Sequence, residues 1–120
     1  MKPLQIAETP TTPSVLFDPG KNIFEIAGRS VADNPSEVYQ AVLQWLTQYA
    51  RDPRPVTLVS IKLEFFNTAS SKALLDTLSA LSFIRNAKVI WFHPEDDDDM
   101  REAGEEFFEL VSIPFEFKTY

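Results

Sequence analysis

The sequence predicts a single α/β domain, spanning residues 1–120, in which a mixed β-sheet carries about three helices. Apolar, β-branched runs alternate with stretches whose apolar residues recur at helical spacing. That alternation implies βαβ crossovers and parallel strand pairs. The chain has 120 residues, of which 44% are hydrophobic and 12% aromatic, and these values are typical of one folded domain.

The first part of the chain predicts three strands. A short strand lies near residues 4–7, and the Pro-rich segment 9–13 separates it from the next because proline has no backbone N–H to donate. Residues 14–17 and 23–28 predict two strands joined by a turn over 18–22, which contains both Pro and Gly. We therefore expect a β-hairpin here.

Three segments carry the apolar stripe of an amphipathic helix. Asn34 and Pro35 suit the cap and the first position of the first helix, and residues 51–53 end it. The second helix covers 69–84, and the third begins in the acidic run 95–99, since carboxylates favour a helix N-terminus. The three stripes are Val38, Val42, Trp45, Leu46 and Tyr49; Leu74, Leu75, Leu78 and Leu81; and Met100, Ala103, Phe107, Leu110 and Val111.

Three more strands complete the pattern. Residues 56–66 form a long β-branched and aromatic run, which predicts a central strand buried on both faces. Residues 89–92 are a short apolar strand. After Pro114, aromatic and charged side chains alternate over 115–119, and this alternation predicts a last strand at the edge of the sheet.

Composition excludes several classes of function. The formal net charge is -7, so binding to nucleic acid or to an anionic membrane surface is not expected, whereas a partner with a basic patch is. The chain has no cysteine, which excludes disulfides, thiol catalysis and cysteine-ligated zinc. We find neither a signal-peptide pattern nor a run long enough to cross a bilayer, and we expect a cytoplasmic protein.

The residues that catalysis usually needs are sparse. His93 is the one histidine, and a role as a plain surface or strand-end residue explains it. No nucleophile elbow, P-loop or dinucleotide-binding motif occurs. The acidic run lacks the glycine and the final glutamate of a calcium-binding loop. We expect neither an enzyme nor a cofactor or metal.

The large aromatic residues are expected in the core. Trp45, Trp91, Phe65 and Phe66 have spacing that fits burial, and a Phe-rich core requires no ligand to explain it. Phe65 and Phe66 are neighbours, so on a strand they point to opposite faces. One of them is exposed if the far face of that strand is uncovered.

The joint between the long strand and the second helix carries the most informative polar residues. Thr68, Ser70 and Ser71 place three hydroxyls at a helix N-terminus, and Lys72 follows. One interpretation is structural: Asn67 or Thr68 accepts a backbone N–H as the cap, and the serines lie on the first turn. The other is a phosphoacceptor, because a phosphate is favoured at a helix N-terminus and by a nearby lysine. Local chemistry leaves both open.

Residues 65–76, with the pattern Phe-x-Asn-Thr-x-Ser-x-Lys-Ala-Leu-Leu-Asp, resemble the core motif of the SiaC family of small bacterial regulatory phosphoproteins. Further matches follow in order along nearly the whole chain. They are Gly28-x-Ser30, a helix carrying Tyr39 and Trp45, and Pro114-Phe115. The chain departs from the family pattern at Ala69, where serine is common, and at Ala32-Asp33, where Pro-Glu is expected.

This resemblance implies a STAS-like fold and a non-enzymatic phospho-switch. It implies that Thr68 is phosphorylated by a serine/threonine kinase of the GHKL type and dephosphorylated by a PP2C-type phosphatase, with Asn67, Ser70, Ser71 and Lys72 supporting the site. It also implies that the unphosphorylated protein binds and activates a diguanylate cyclase, which affects biofilm formation and aggregation through cyclic-di-GMP. The alternative is a STAS-like binding module for a small ligand, a lipid or a different protein target.

Overall fold

A computed structural model describes residues 1–120 and contains three helices and one six-stranded sheet. The predicted α/β class is therefore confirmed, and all nine predicted elements are present. The strands are β1 (Leu4–Ile6), β2 (Ser14–Asp18), β3 (Ile23–Ser30), β4 (Thr57–Phe66), β5 (Ala87–His93) and β6 (Phe115–Thr119). The helices are α1 (Ser36–Tyr49), α2 (Thr68–Leu81) and α3 (Asp98–Leu110).

The strands lie in the sheet in the same order as in the chain, from β1 to β6. The pairs β1–β2 and β2–β3 are antiparallel, which confirms the hairpin, and the three later pairs are parallel. Each helix connects two neighbouring parallel strands, and every crossover advances in the same direction. Because such crossovers share one hand, all three helices pack on the same face of the sheet. Strand β6 is at an edge, as predicted.

The expectation that the long strand is buried on both faces is wrong. Buried and exposed residues alternate along β4, and on its far face Leu58 is 49% exposed while Lys62 and Glu64 are also exposed. With all the helices on one side, nothing in the chain covers the other. A long β-branched run does not by itself distinguish a strand covered on both faces from a strand covered on one.

A β-bulge interrupts the pairing of β3 with β4 close to the start of α2. Gly28 pairs with Leu63 and Arg29 with Phe65, so Glu64 is the extra residue, and Gly28 has a φ of 111° that favours glycine. The bulge turns Phe66 towards the helices, where its ring lies 5.8 Å from that of Phe107. Phe65 is 53% exposed, so the prediction that it is a core residue is wrong. The accompanying expectation, that one of the two neighbours is exposed when the far face of the strand is uncovered, is confirmed.

Helix boundaries differ from the predictions by a few residues. Helix α1 begins at Ser36 rather than at Pro35, and Asn34 Oδ1 accepts from the backbone N and the Oγ of Ser36, at 3.2 and 2.7 Å. Helix α3 begins in the acidic run as predicted, and the side chain of Asp97 caps it by accepting from the N of Met100 at 3.0 Å.

Two aromatic clusters fill the space between the sheet and the helices. Phe17, Phe24, Trp45 and Tyr49 pack together under α1. Phe66, Trp91, Phe107 and Phe115 pack together under α3. Five of the ten phenylalanines belong to the core or pack against it, whereas four are exposed. Three of the four aromatic residues predicted in the core are at least half-buried.

His93 ends β5, as expected of a strand-end residue, but it is buried rather than on the surface. Its Nδ1–H donates to the carbonyl of Pro94 at 2.9 Å. None of the three helices has both the length and the apolar character that crossing a membrane requires.

Candidate functional site

The start of α2 is held by the side chain and backbone of Asn67, which directly follows β4. The Asn67 backbone N donates to the carbonyl of Ser30 at 3.1 Å, and Nδ2 donates to the carbonyl of Ala32 at 3.0 Å. Its Oδ1 accepts from the N of Ser70 at 2.9 Å. Asn67 is thus the helix cap, and it also joins the end of β4 to the segment between β3 and α1.

Thr68 is the first residue of α2, and its side chain is exposed. The sequence left the cap to either Asn67 or Thr68, and the geometry assigns it to Asn67. The Thr68 hydroxyl makes no hydrogen bond within the protein. It is therefore accessible from solvent at a helix N-terminus, where partial positive charge favours an anion.

Thr68 lies in a groove of about 360 Å³ between α2 and α3, which we call the α2–α3 groove. Helix α2 contributes Thr68, Ser71, Lys72 and Leu75, and α3 contributes Glu106 and Leu110. Phe66 and Phe107 also line it. Two hydroxyls, one cation and one anion therefore border a largely apolar depression, and a group added to Thr68 would lie at this depression.

Ser70 is placed differently from the other hydroxyls of the joint. It is fully buried, and its Oγ accepts from the Oγ of Ser30 at 2.7 Å. The Ser30 Oγ also lies 2.8 Å from the hydroxyl of Tyr39. Ser70 therefore belongs to a buried chain of three hydroxyls instead of decorating the surface of the first turn.

Burial raises the pKa of the Tyr39 phenol above its ordinary value, and the hydrogen bond with Ser30 offsets part of that rise. Tyr39 is consequently neutral at physiological pH and can act as a donor. Each hydroxyl has a single O–H to donate. Because Ser30 donates its O–H to Ser70, Tyr39 is the donor in the bond between Tyr39 and Ser30, and the hydrogen bonds run from Tyr39 through Ser30 to Ser70.

The remaining predicted site residues lie along the groove. Ser71 is half-buried and Lys72 is exposed one turn after Thr68. Glu106 faces them from α3. The three ion pairs of the structure lie elsewhere and join Lys88 to Glu116 and Arg101 to both Asp98 and Glu105. No group of three or more potential metal ligands comes together.

Reasoning from sequence assigned no role to Ser30, Tyr39 or Glu106, although the first two stood in the family pattern. A signal for two of them was present. Ser30 continues the inward alternation of Phe24 and Ile26 on β3, so a polar residue occupies a core position there. Tyr39 likewise interrupts an apolar helix stripe. Polar groups at core positions require partners, which makes a buried network the natural explanation.

Replacing Asn67 with alanine is expected to lower the free energy of unfolding by about 1–2 kcal/mol, because the cap and the bond to Ala32 are both lost. Asn34→Ala is the matched control, since Asn34 also precedes a helix but its bonds are exposed. Urea denaturation monitored by circular dichroism measures both. Equal stability of Asn67→Ala and the unsubstituted protein would contradict the prediction.

Comparison with known proteins gives a consistent result. The family model described as SiaC family regulatory phosphoprotein matches residues 6–120. An uncharacterised protein of Pseudomonas aeruginosa (strain UCBPP-PA14) is 27% identical over 124 residues, covering 100% of this chain and 98% of that protein.

Two solved structures from Pseudomonas aeruginosa resemble the fold closely. The crystal structure of apo-SiaC superposes with a TM-score of 0.88 at 28% identity, covering 99% of this chain and 100% of that one. SiaC in the crystal structure of the diguanylate cyclase SiaD in complex with its activator SiaC superposes with a TM-score of 0.89 at 26% identity, covering 98% and 99%.

Proposed function

The chain belongs to the SiaC family of regulatory phosphoproteins, and from this premise we propose that it is a non-enzymatic switch controlled by reversible phosphorylation of Thr68. The observation that carries the proposal is that the cap of α2 and the exposed hydroxyl at its start belong to two different residues. Asn67 caps the helix, while the neighbouring Thr68 hydroxyl is exposed and free of internal hydrogen bonds. Modification of Thr68 therefore does not cost the helix its cap.

The proposed modification is a phosphoryl transfer from ATP. In the active site of a GHKL-type serine/threonine kinase, Oγ1 of Thr68 attacks the γ-phosphorus, the bond to ADP breaks, and the hydroxyl proton passes to a base of the kinase. A PP2C-type phosphatase removes the group by hydrolysis: water attacks the phosphorus, the bond to Oγ1 breaks, inorganic phosphate leaves and Oγ1 of Thr68 regains a proton. This chain supplies the acceptor and its position, while the kinase and phosphatase supply the catalytic groups.

Some groups around Thr68 favour the negative charge of a phosphate, and others oppose it. The added group carries about -1.5 to -2 charges at pH 7, and the N-terminus of α2 and the Lys72 ammonium favour that charge. Glu106 on the opposite wall and the apolar side chains of the groove oppose it. The phosphate therefore changes the surface of the α2–α3 groove more than the stability of α2.

We further propose that the unphosphorylated protein binds and activates a diguanylate cyclase. SiaC of Pseudomonas aeruginosa is the activator of the cyclase SiaD in the complex that resembles this chain. A partner surface that fits an apolar groove loses complementarity when nearly two negative charges appear at its rim. Phosphorylation of Thr68 would thus switch cyclase activation off.

The test measures cyclic-di-GMP production by the cognate cyclase with three forms of this protein. We expect activation by the unmodified protein, and loss of most of it by the phosphorylated protein and by Thr68→Asp, because both carry negative charge at the groove. Ser79→Asp is the matched control, since it adds one charge to an exposed position near the other end of α2. Undiminished activation by the phosphorylated protein would contradict charge-gated docking.

A further inference from the structure

The first turn of α2 contains three hydroxyls, and two of them, those of Thr68 and Ser70, have opposite environments. Thr68 is exposed, whereas Ser70 has no exposed surface. In an unfolded peptide both hydroxyls would be accessible to a kinase. The folded chain therefore presents one of them and withholds the other, and specific contacts account for the difference.

Those contacts are the hydroxyl chain from Tyr39 through Ser30 to Ser70. Ser30 lies at the end of β3 and Tyr39 lies on the buried side of α1, and they are only 1% and 2% exposed. The two links measure 2.8 and 2.7 Å. Ser30 also accepts the backbone N–H of Asn67, so its side chain and its carbonyl both hold the start of α2.

We propose that Tyr39 and Ser30 are positioning residues for the phosphorylation: by holding the Ser70 hydroxyl in the core, they leave Thr68 as the acceptor that the kinase meets. The inference rests on the proposed function, since it assumes phosphorylation of Thr68. Neither residue touches the reacting atoms, and both act through the orientation of the first turn of α2.

Ser30→Ala removes the donor to Ser70 itself, whereas Tyr39→Phe leaves that donor in place and removes only the group that orients it. A buried hydroxyl that has lost its hydrogen-bond partner still pays the free energy of desolvation, whereas an exposed hydroxyl bonds to water instead. The first turn of a helix opens more readily than its middle, because its N–H groups have no partners within the helix. Opening that turn lets Ser70 reach water, which relieves the penalty and exposes the hydroxyl to the kinase.

The experiment compares the sites phosphorylated in the unsubstituted protein, Ser30→Ala and Tyr39→Phe. Each is incubated with the cognate kinase and ATP, and the fraction of phosphate on each hydroxyl is mapped by mass spectrometry of peptides. We expect phosphate on Thr68 with only a trace on Ser70 in the unsubstituted protein, and a rise of about tenfold over that trace in Ser30→Ala. A smaller rise is expected in Tyr39→Phe, because Ser30 still donates to Ser70 there. Tyr39→Phe keeps the ring in the core and provides the test even if Ser30→Ala does not fold.

Tyr49→Phe is the matched control. The Tyr49 hydroxyl lies 2.7 Å from Thr57 Oγ1 and accepts from the backbone N of Arg54 at 3.1 Å. These bonds lie at the opposite end of β4 from the start of α2, about 30 Å away along the strand. We expect a similar loss of stability in urea denaturation and no rise in Ser70 phosphate above the unsubstituted protein. A comparable rise in this control would mean that general destabilisation suffices, and it would overturn the inference.

The remaining outcomes separate this inference from the proposed function. If folded Ser30→Ala and Tyr39→Phe distribute phosphate between Thr68 and Ser70 as the unsubstituted protein does, the positioning role is overturned and the proposed switch is left intact. Absence of phosphate from Thr68 in the unsubstituted protein overturns the proposed function, and the inference fails with it. Failure of the proposed function is therefore visible in the unsubstituted protein, without any variant.

Discussion

Thr68→Ala is expected to abolish phosphate incorporation by the cognate kinase, since it removes the hydroxyl that we propose as the acceptor. The other hydroxyls of the joint do not replace it, because Ser70 is buried and Ser71 is half-buried. Incorporation of radiolabelled phosphate from ATP measures the loss, and peptide mapping locates any remaining label.

Two controls make this result specific to the acceptor. Thr68→Ser retains a primary hydroxyl at the same position and should still be labelled, whereas Ser71→Ala should be labelled like the unsubstituted protein. Thr68→Ala itself should change the free energy of unfolding by no more than about 0.5 kcal/mol, because Asn67 holds the cap and Thr68 is exposed. Full labelling of Thr68→Ala would refute the assignment.

Gly104→Ala is expected to destabilise the fold by about 1–3 kcal/mol, although alanine is ordinarily the better helix former. Gly104 lies on the buried side of α3, and an added Cβ would stand 2.6 Å from two atoms of the Trp91 indole. Trp91 is fully buried and its Nε1 donates to the carbonyl of Met100 on the same helix at 3.0 Å. Neither partner can withdraw without disturbing the other.

Urea denaturation measures the expected loss in the free energy of unfolding, and a double-mutant cycle tests whether contact with Trp91 causes it. In a Trp91→Phe background, the smaller ring leaves room for the Cβ, so Gly104→Ala should cost less there. Gly20→Ala is a control in the turn before β3, where the added Cβ meets its nearest atom at 3.4 Å. An equal cost of Gly104→Ala in both backgrounds would show that contact with Trp91 is not the cause.

This packing also bears on the proposed switch, because α3 forms one wall of the α2–α3 groove. Glu106 and Leu110 of α3 line the groove, and Gly104 packs the same helix closely against Trp91 of β5. A displaced α3 changes the width of the groove. We therefore expect Gly104→Ala to weaken cyclase activation even at temperatures where the variant remains folded.

The order and type of the elements followed from local patterns. Apolar spacing identified α1, α2 and α3, and the Pro and Gly of residues 18–22 marked the hairpin between β2 and β3. These signals are local because helix and turn geometry depends on residues only a few positions apart. The resemblance of residues 65–76 to a family motif likewise required nothing but the order of the residues.

Which faces of the sheet are covered required the tertiary structure. Burial of β4 on one face depends on the side to which three separate crossovers deliver their helices, and the exposure of Phe65 depends on a bulge opposite Gly28. Neither is encoded in the run 56–66, whose β-branched residues suit a pleated strand in either setting.

The candidate site divides in the same way. The sequence alone determined that hydroxyls, an asparagine and a lysine meet at a helix N-terminus, and its family pattern singled out Thr68. Only the tertiary structure decided that Asn67 is the cap, that Ser70 is withheld in the core and that Glu106 faces Thr68 across a groove. The physical reason is distance along the chain: Ser70 bonds to Ser30, 40 residues earlier, and a hydroxyl is buried or exposed according to partners that folding brings to it.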